Sequence, residues 1–142
     1  MRLTLTRRAE YGIRLLVHLA GRPAERVTSA ELARVCEIPA GNVPTIVNAL
    51  TRGGILDARP GRHGGCRLAR PATDISMLEV VECLEGGSEA GLCILGTGRC
   101  GVTGHECALH AAWKDGRRAA LDALSSLTLD AAASREAELG RP

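Results

Sequence analysis

Three cysteines stand at an even spacing in one glycine-rich stretch of the chain, "CILGTGRCGVTGHECALH", residues 93–110. Cys93, Cys100 and Cys107 are seven residues apart, and His110 follows three residues after the last of them. Glycine lets the backbone curl without steric penalty, so three thiolates in such a loop can converge on one soft metal centre. The stretch therefore predicts a metal-binding loop.

The width of the cysteine spacing favours one kind of centre. Structural zinc is usually held by cysteine pairs about two to four residues apart, whereas the two gaps here hold six residues each. The wider gaps favour a loop around an iron–sulfur cluster, with structural zinc and a thiol-redox switch as the alternatives. A cluster normally has four protein ligands, and the nearby non-thiol candidates are His105 and His110.

The other three of the six cysteines lie outside this loop. Cys36 and Cys83 fall in predicted helices and are expected to be small buried residues. Cys66 follows the glycines of a predicted turn and is expected to be a partly exposed thiol.

The sequence shows no signal for a membrane or for export. No apolar run approaches the roughly 20 residues of a membrane span, and the start "MRLTLTRRAEYG" lacks the apolar stretch of a signal peptide. We therefore expect a cytoplasmic protein with reduced thiols rather than disulfides.

Composition and charge limit the core and the partners. The 142 residues contain no Phe and only Tyr11 and Trp113 as aromatic residues, so the core must consist of Leu, Val, Ile and Ala. A small core of this kind often grows by dimerisation. Residues 1–74 hold twelve Arg and six acidic residues, a balance of +6, whereas residues 75–142 hold six basic and ten acidic residues, a balance of −4. This asymmetry indicates that the first half meets an anion such as nucleic acid.

Helical periodicity and capping signals place three helices before residue 53. The stretch "RRAEYGIRLLVHLAGRP" has an apolar stripe that stops at Gly21. Thr28 and Glu31 predict a capping box for a short helix to about Cys36, and after "EIPAG" a second helix ends at Arg52. Two short helices with a tight turn are typical of a helix-turn-helix.

The next segment predicts a β-hairpin. The strand-like runs "ILDARP" and "CRLARP" flank "GRHGG", a glycine-rich tip. A hairpin directly after a helix-turn-helix is the element order of a winged helix. Arg59, Arg62 and His63 make this tip cationic, and such a wing lies along phosphates or enters the minor groove of DNA.

Two further helices are predicted after the hairpin. "TDISMLEVVECLEGG" is a capped helix with Ile75, Leu78, Val81 and Leu84 on one side. A long helix follows from about residue 108 to residue 127, and the final "SREAELGRP" is expected to fray. The candidate dimer seam on the long helix consists of Leu109, Trp113, Ala120, Leu124 and Leu127.

The predicted fold class is mainly α with a small β-hairpin. The predicted divisions are a winged helix-turn-helix DNA-binding region over 1–74, a connecting helix and cysteine loop over 75–108, a dimerisation helix over 109–128 and a C-terminal tail over 129–142.

The ordered set of these motifs resembles the winged-helix iron–sulfur transcriptional regulators that include IscR, NsrR and RirA. The similarity runs from Met1 to about Ala132. "MRLT" and "EYGIRLL" match the start of that family, "TSAELARVCEIP" its first DNA-binding helix, "GRHGGCRLARP" its wing and "DISMLEVVECLEG" the helix after it. The three cysteines then precede "ALHAAW" and a closing "LTL".

The resemblance implies a homodimer that binds a pseudo-palindromic operator in double-stranded DNA and carries one iron–sulfur cluster per subunit. The cluster type is 4Fe–4S in preference to 2Fe–2S, and its state reports nitric oxide, redox conditions or the supply of iron and clusters. By this similarity Cys93, Cys100 and Cys107 are ligands. The fourth ligand is either Glu10 from the partner subunit, as in the nitric-oxide-sensing branch, or His110, as in the branch that governs cluster assembly. The motif "EYGIR" is closer to the former branch.

Several features depart from the family pattern. The cysteine gaps hold six residues rather than the five expected. Gly41 and Pro44 lie in the second DNA-binding helix and predict a distorted or late first turn. Pro60 replaces the usual wing arginine, with Arg59 one place earlier, and Cys66 replaces an aromatic or aliphatic residue. These departures concern the operator sequence more than the fold.

The predicted function is a DNA-binding transcriptional regulator and not an enzyme, because the chain shows neither a second cofactor motif nor an acid–base constellation. An iron–sulfur electron carrier is the remote alternative, and no membrane or small-molecule substrate is expected as a partner. The candidate DNA-contacting residues are Thr28, Ser29, Asn42, Thr45, Asn48, Arg52, Arg59, Arg62 and His63.

Overall fold

The computed structural model of the chain describes residues 4–61, 63–86, 95, 100 and 106–140. Within these residues, three helices precede one two-stranded antiparallel hairpin, and further helices follow it. This order confirms a mainly α fold with a small β-hairpin. The elements are α1 Arg7–Ala20, α2 Ser29–Val35, α3 Val43–Arg52, β1 Leu56–Arg59, β2 Gly65–Leu68, a 3₁₀ turn Ala72–Asp74, α4 Met77–Glu85, α5 His110–Ser126 and α6 Leu129–Glu138.

Side-chain caps fix where several helices begin. The hydroxyl of Thr28 accepts the N–H of Glu31 at 3.2 Å, which supplies one half of the predicted capping box. The complete reciprocal box forms at α4, where Ser76 and Glu79 each accept the other's backbone N–H. Such caps satisfy backbone donors that have no partner inside the helix.

The turn between α2 and α3 has the late helix start that the sequence predicted. Glu37 adopts a left-handed conformation with φ of 53°, which reverses the chain after α2. Gly41 precedes α3, and Pro44 stands in its first turn, where a missing N–H removes no helical hydrogen bond. The helix is therefore regular from Val43 onwards.

The core is aliphatic, as the composition predicted. It joins α1, α3, α4 and the hairpin, and its largest fully buried side chains include Leu15, Leu16, Leu19, Leu32, Ile46, Leu50, Ile55, Ile75, Leu84 and Leu129.

The predicted buried face of α4 is only partly correct. Met77, Val80 and Leu84 are buried, whereas Leu78 and Val81 are half-exposed. The helix begins after Ser76, so the repeat of buried positions is counted from Met77. Ile75 is fully buried, but it lies in the extended backbone before the helix rather than on the helix itself.

In the hairpin, Leu56 pairs with Leu68 and Asp57 pairs with Arg67. Strand β2 also pairs with the loop before α2. Val27 and Cys66 exchange backbone hydrogen bonds of 2.9 Å in both directions. Gly65 has φ of 119°, and a Cβ there would lie 2.7 Å from the Val27 carbonyl oxygen, so glycine is required at this junction.

A helix lies where the sequence predicted part of a C-terminal tail. Residues 129–138, taken as part of a tail, form α6, which packs on α1. Leu129 is fully buried, and its N–H donates to the Ile75 carbonyl at 2.8 Å. Residues 134–138 of the stretch expected to fray lie within α6, for which the nonlocal contact of Leu129 supplies an apolar anchor.

Helix α5 differs from the others in its burial. It runs for 17 residues, and none of them is buried. Trp113 and Leu124 are half-buried, and Leu109 directly before the helix is 46% exposed. A long helix that buries none of its residues and leaves Trp113 partly exposed is suited to association with another chain.

Gly12 marks the closest approach of α1 and α4, because a Cβ at this position would overlap the buried side chain of Leu84. We expect Gly12→Ala to lower the free energy of unfolding by about 1–3 kcal/mol through overpacking. Gly21→Ala is the matched control, since its Cβ would meet only the His18 carbonyl oxygen at 3.7 Å. Chemical denaturation measures both, and equal stability of the two variants would contradict the close packing of the two helices.

Candidate nucleic-acid interface and candidate metal site

Helix α3 presents a polar face to solvent. Its buried side consists of apolar residues from Val43 to Leu50, which hold the helix on the core. Thr45, Asn48 and Arg52 are all exposed, and their spacings of three and four residues place them on one face. The structure therefore brings together the three side chains expected to meet bases and phosphates.

The other predicted DNA contacts lie at the ends of α2 and α3 and on the hairpin. Thr28 and Ser29 are exposed at the start of α2, and Asn42 is exposed directly before α3. Arg59 and His63 are exposed on the hairpin, while Arg62 lies outside the described residues.

Sequence reasoning missed an ion-pair cluster at the base of the hairpin. The carboxylate of Asp57 accepts a hydrogen bond from Arg26 and lies 3.5 Å from Nε of Arg67. The bond from Arg26, followed by the charges of the neighbouring arginines, holds the pKa of Asp57 below its ordinary value. The predicted hairpin places Asp57 opposite Arg67, and this cross-strand pair is the sequence signal that was overlooked.

The His110 ring and the backbone of Cys107 both contact the Cys100 sulfur atom. Nδ1 of His110 lies 3.2 Å from Sγ of Cys100, and the backbone N–H of Cys107 donates to the same sulfur at 3.2 Å. Cys100 is buried and Cys107 is half-buried. Thiol and imidazole groups in one partly buried place are the donor set that suits an iron–sulfur cluster or zinc.

The other ring nitrogen of His110 has its own partner. Nε2 lies 3.6 Å from a carboxylate oxygen of Glu106, one turn earlier in the chain. Histidines that bind metals commonly donate their second ring N–H to a carboxylate, which fixes the ring orientation. Glu106 is thus placed to orient His110 with Nδ1 toward Cys100.

Glu10 stands in a different environment. Its two carboxylate oxygens pair with Arg7 at 3.1 Å and Arg14 at 2.9 Å on the same helix. It also lines a groove of about 820 Å³ between α1 and the end of α2, together with apolar residues such as Ile13 and Val17. The carboxylate is 41% exposed on this groove, so another chain has room to approach it.

The described residues contain only part of the predicted ligand set. Cys93 lies outside them, and within them no three Cys, His, Asp or Glu side chains form a group that could hold a metal ion. The ligand assignment of Cys93, Cys100, Cys107 and a fourth residue stays a prediction.

The three cysteines outside the loop are structural. Cys36 is 4% exposed and Cys66 only 2% exposed, so the expectation of a partly exposed thiol at Cys66 is wrong. The pairing of Cys66 with Val27 covers its side chain, and burial raises the pKa of its thiol to about 11. Cys83 is half-exposed, and its thiol donates to the Ala49 carbonyl at 3.0 Å.

Thiol alkylation tests this assignment. At pH 8 a thiol with a pKa of about 11 is roughly one part in a thousand thiolate, so Cys66 is expected to react far more slowly with iodoacetamide than Cys83. Its rate should rise about tenfold per pH unit as the thiolate fraction grows. Peptide mapping by mass spectrometry gives both rates, with the denatured chain as the reference; equal rates at pH 8 in the folded protein would contradict the burial.

None of the helices in the described ranges has the combination of length and apolar character that crossing a lipid bilayer requires.

The comparisons with known proteins agree with this architecture. The sequence model of the Rrf2 family, described as an iron-dependent transcriptional regulator, matches residues 5–135. Protein aau3 of Rhizobium meliloti (strain 1021) is 30% identical over 129 residues, which cover 90% of this chain and 83% of that protein.

Solved structures share the fold at lower identity. CymR (YrzC), the global cysteine regulator of B. subtilis, has a TM-score of 0.77 at 21% identity, over 94% of this chain and 98% of that chain. IscR of T. potens has a TM-score of 0.73 at 19% identity, over 99% of this chain and 92% of that chain. With a winged helix-turn-helix in the described residues and a family match over nearly its whole length, the chain belongs to the Rrf2 family of transcriptional regulators, proteins that bind DNA, are typically dimeric and are not enzymes.

Proposed function

We propose that this chain is a homodimeric DNA-binding regulator whose affinity for its operator is controlled by an iron–sulfur cluster. The single observation that carries the proposal is the contact of the His110 ring with the Cys100 sulfur, in a chain whose first half presents an exposed polar helix and a basic hairpin. The 4Fe–4S type is preferred, as the resemblance implied. Because the protein is proposed to act on DNA, we expect it in the cytoplasm.

The DNA-contacting surface, or reading head, consists of α3 and the hairpin. Thr45, Asn48 and Arg52 approach base edges and phosphates in the major groove, while Arg59, Arg62 and His63 contact the flanking backbone. In a homodimer, two such heads meet half-sites about 34–36 Å apart, or a multiple of that distance. The exposure of every described member of this set supports the assignment.

The dimer forms through α5. None of its 17 residues is buried, and the half-buried side chains of Trp113 and Leu124 leave part of their apolar surface open to solvent. A second copy of the same helix would cover this surface, and family members are typically dimeric.

The cysteine loop holds the cluster. Cys93, Cys100 and Cys107 supply thiolates, and a bound cluster supplies iron atoms that respond to redox state, nitric oxide or iron supply. Helix α4 leads into the loop and α5 leads out of it. The ligands therefore lie in the chain between the reading head and the dimer helix. A change in the conformation of the loop would alter the position of both.

The fourth ligand is His110 or Glu10, and the contacts within one subunit support His110. Its Nδ1 already lies 3.2 Å from the Cys100 sulfur, and Glu106 orients the ring. Glu10 would have to leave Arg7 and Arg14 and reach the loop of the partner subunit across the groove. The resemblance of "EYGIR" supports this second route, so both variants belong in the test.

The thiol-redox switch remains a second candidate, since the protein named the global cysteine regulator and this chain share a fold. Cys100 and Cys107 are both reduced thiols in this loop, and reversible oxidation of such thiols is an alternative way to change the loop. Zinc in the same loop is the other alternative. Colour and sulfide content separate these possibilities from an iron–sulfur cluster.

Anaerobic purification from iron-replete cells tests the proposal. We expect brown protein with broad absorption in the region of roughly 320–420 nm, iron and sulfide in each subunit, and operator binding that changes on exposure to nitric oxide or air. Pale, iron-poor protein that still binds its operator would exclude cluster control and leave the DNA-binding regulator standing.

The same preparation decides the fourth ligand. We expect His110→Ala to accelerate loss of the cluster to a chelator by about 10–100-fold, with Glu10→Gln close to the wild type. His63→Ala is the matched histidine control, because His63 lies on the hairpin. Fast cluster loss in Glu10→Gln instead would assign the ligand to the partner subunit's first helix.

A further inference from the structure

The base of the hairpin holds one carboxylate among three guanidinium groups. Oδ2 of Asp57 accepts a hydrogen bond from Arg26 and lies 3.5 Å from Nε of Arg67. Oδ1 lies 4.0 Å from Nε of Arg59, two residues along the same strand. A single anion thus faces the positive side chains of the element that the regulator is expected to place on DNA.

The three arginines are anchored to different degrees. Arg26 is 17% exposed, and it also donates to the backbone carbonyls of Asp57 at 3.1 Å and Gly65 at 3.2 Å. Arg67 is 43% exposed and Arg59 is 67% exposed. Arg26 is therefore a fixed part of the hairpin base, whereas Arg59 and Arg67 can exchange Asp57 for a phosphate.

We propose that Asp57 is a specificity-determining positioning residue, whose carboxylate holds Arg59 and Arg67 in place along the hairpin and reduces the attraction of the hairpin to DNA in general. The inference rests on the proposed placement of the hairpin against DNA and needs no metal centre.

The electrostatics of DNA binding give the reason. Lysine and arginine contacts to phosphates supply nearly all of the affinity for non-specific DNA. Free arginines adapt to any phosphate, whereas Asp57 restricts Arg59 and Arg67 to a few positions and adds repulsion toward the backbone. At the operator, α3 fixes the register, so arginines that are already positioned lose less side-chain freedom on binding. Because exposed ion pairs contribute little to stability, a phosphate in register displaces the carboxylate at small cost.

The test compares Asp57→Asn with the wild-type dimer on two duplexes. One is selected by the wild-type protein from a randomised library, and the other has the same composition in scrambled order. We expect Asp57→Asn to bind the scrambled duplex about threefold more tightly, with a plot of log affinity against log salt that is steeper by about 0.9. The ratio of operator to scrambled affinity should fall by about fivefold.

Two further variants separate position from charge. Glu25→Gln removes one negative charge from the loop that carries Arg26 and leaves Asp57 in place, so its affinity ratio should stay within about twofold of the wild type. Asp57→Glu keeps the charge but moves the carboxylate by one methylene; we expect the wild-type salt dependence with a reduced ratio. Circular dichroism confirms folding, and if Asp57→Asn does not fold, Asp57→Glu carries the test alone.

The outcomes are distinguishable. An unchanged affinity ratio in the Asp57 variants, or an equal fall in Glu25→Gln, would overturn the role of Asp57 while leaving the regulator intact. Failure of the wild-type protein to select any duplex would contradict the proposed function itself, and with it this inference.

Discussion

Replacing Cys100 by alanine is expected to remove the visible absorption of the purified protein and to abolish the response of operator binding to nitric oxide and to iron depletion. The Cys100 sulfur is the point on which the Cys107 backbone and the His110 ring converge, so alanine removes one proposed ligand and the contacts that place the others. Coupling between a ligand site and a second site typically changes affinity by about 5–150-fold. We expect this factor to fall to about one in the variant. Absorption spectroscopy, iron analysis and an anaerobic operator-binding titration measure the effect.

Cys83→Ala is the matched control for this experiment. Cys83 lies on α4 outside the loop, and its thiol donates to the Ala49 carbonyl. It should keep both the colour and the response, with a modest loss of stability of about 1 kcal/mol from the lost hydrogen bond. A coloured Cys100→Ala protein with an intact response would exclude this sulfur from control of the regulator. Loss of colour with a preserved response would instead separate metal binding from sensing.

Local signals explain why most elements were predictable. Thr28 and Ser76 each cap a helix through their own side chain, and the "GG" after α3 and the glycines of the hairpin tip mark the turns. These signals act over three or four residues, so the order of helices and hairpin could be read without knowing how they pack. The late start of α3 followed in the same way from Pro44, whose ring is tolerated only in the first turn of a helix.

The errors concern contacts between distant parts of the chain. Cys66 is buried because Val27, 39 positions earlier, pairs with it, and no pattern around Cys66 reports that bridge. The segment after residue 128 looked like a tail because its anchor, Leu129, docks against Ile75 across the fold. Propensity describes the element, but tertiary packing decides its burial.

The candidate site shows the same division. The spacing of the cysteines predicted a metal loop, and this stays a prediction; the structure shows the His110 ring and the Cys107 backbone N–H against the Cys100 sulfur. The pairs of Glu10 with Arg7 and Arg14 follow from their i,i+3 and i,i+4 spacings on one helix, whereas the contact of His110 with the Cys100 sulfur spans a loop and is not encoded by local spacing. The Asp57 cluster was missed for the same reason, since Arg26 reaches it from 31 positions away.

Replacing Asn48 by alanine is expected to weaken operator binding by about 5–150-fold, the equivalent of about 1–3 kcal/mol for one good base contact. Asn48 is exposed at the middle of α3, between Thr45 and Arg52 on the same face, which is where a recognition helix meets base edges. Its amide suits bidentate contact with adenine, so the loss should be confined to the operator. Because the side chain is exposed, the free energy of unfolding should change by no more than about 0.5 kcal/mol.

Arg52→Gln gives the contrasting result that makes the Asn48 experiment decisive. Arg52 ends α3 and is placed to contact phosphate, so its loss should weaken operator and scrambled DNA alike and reduce the salt dependence by about one charge. Arg118→Gln is the control, since Arg118 is an exposed arginine on α5 and not on α3 or the hairpin. It should leave the affinity for both duplexes unchanged and should not reduce the salt dependence by one charge. Fluorescence anisotropy with both duplexes over a salt series gives all of these values. If Asn48→Ala lowered the affinity for both duplexes equally, α3 would contact phosphates rather than bases. The base contacts would then have to come from another element.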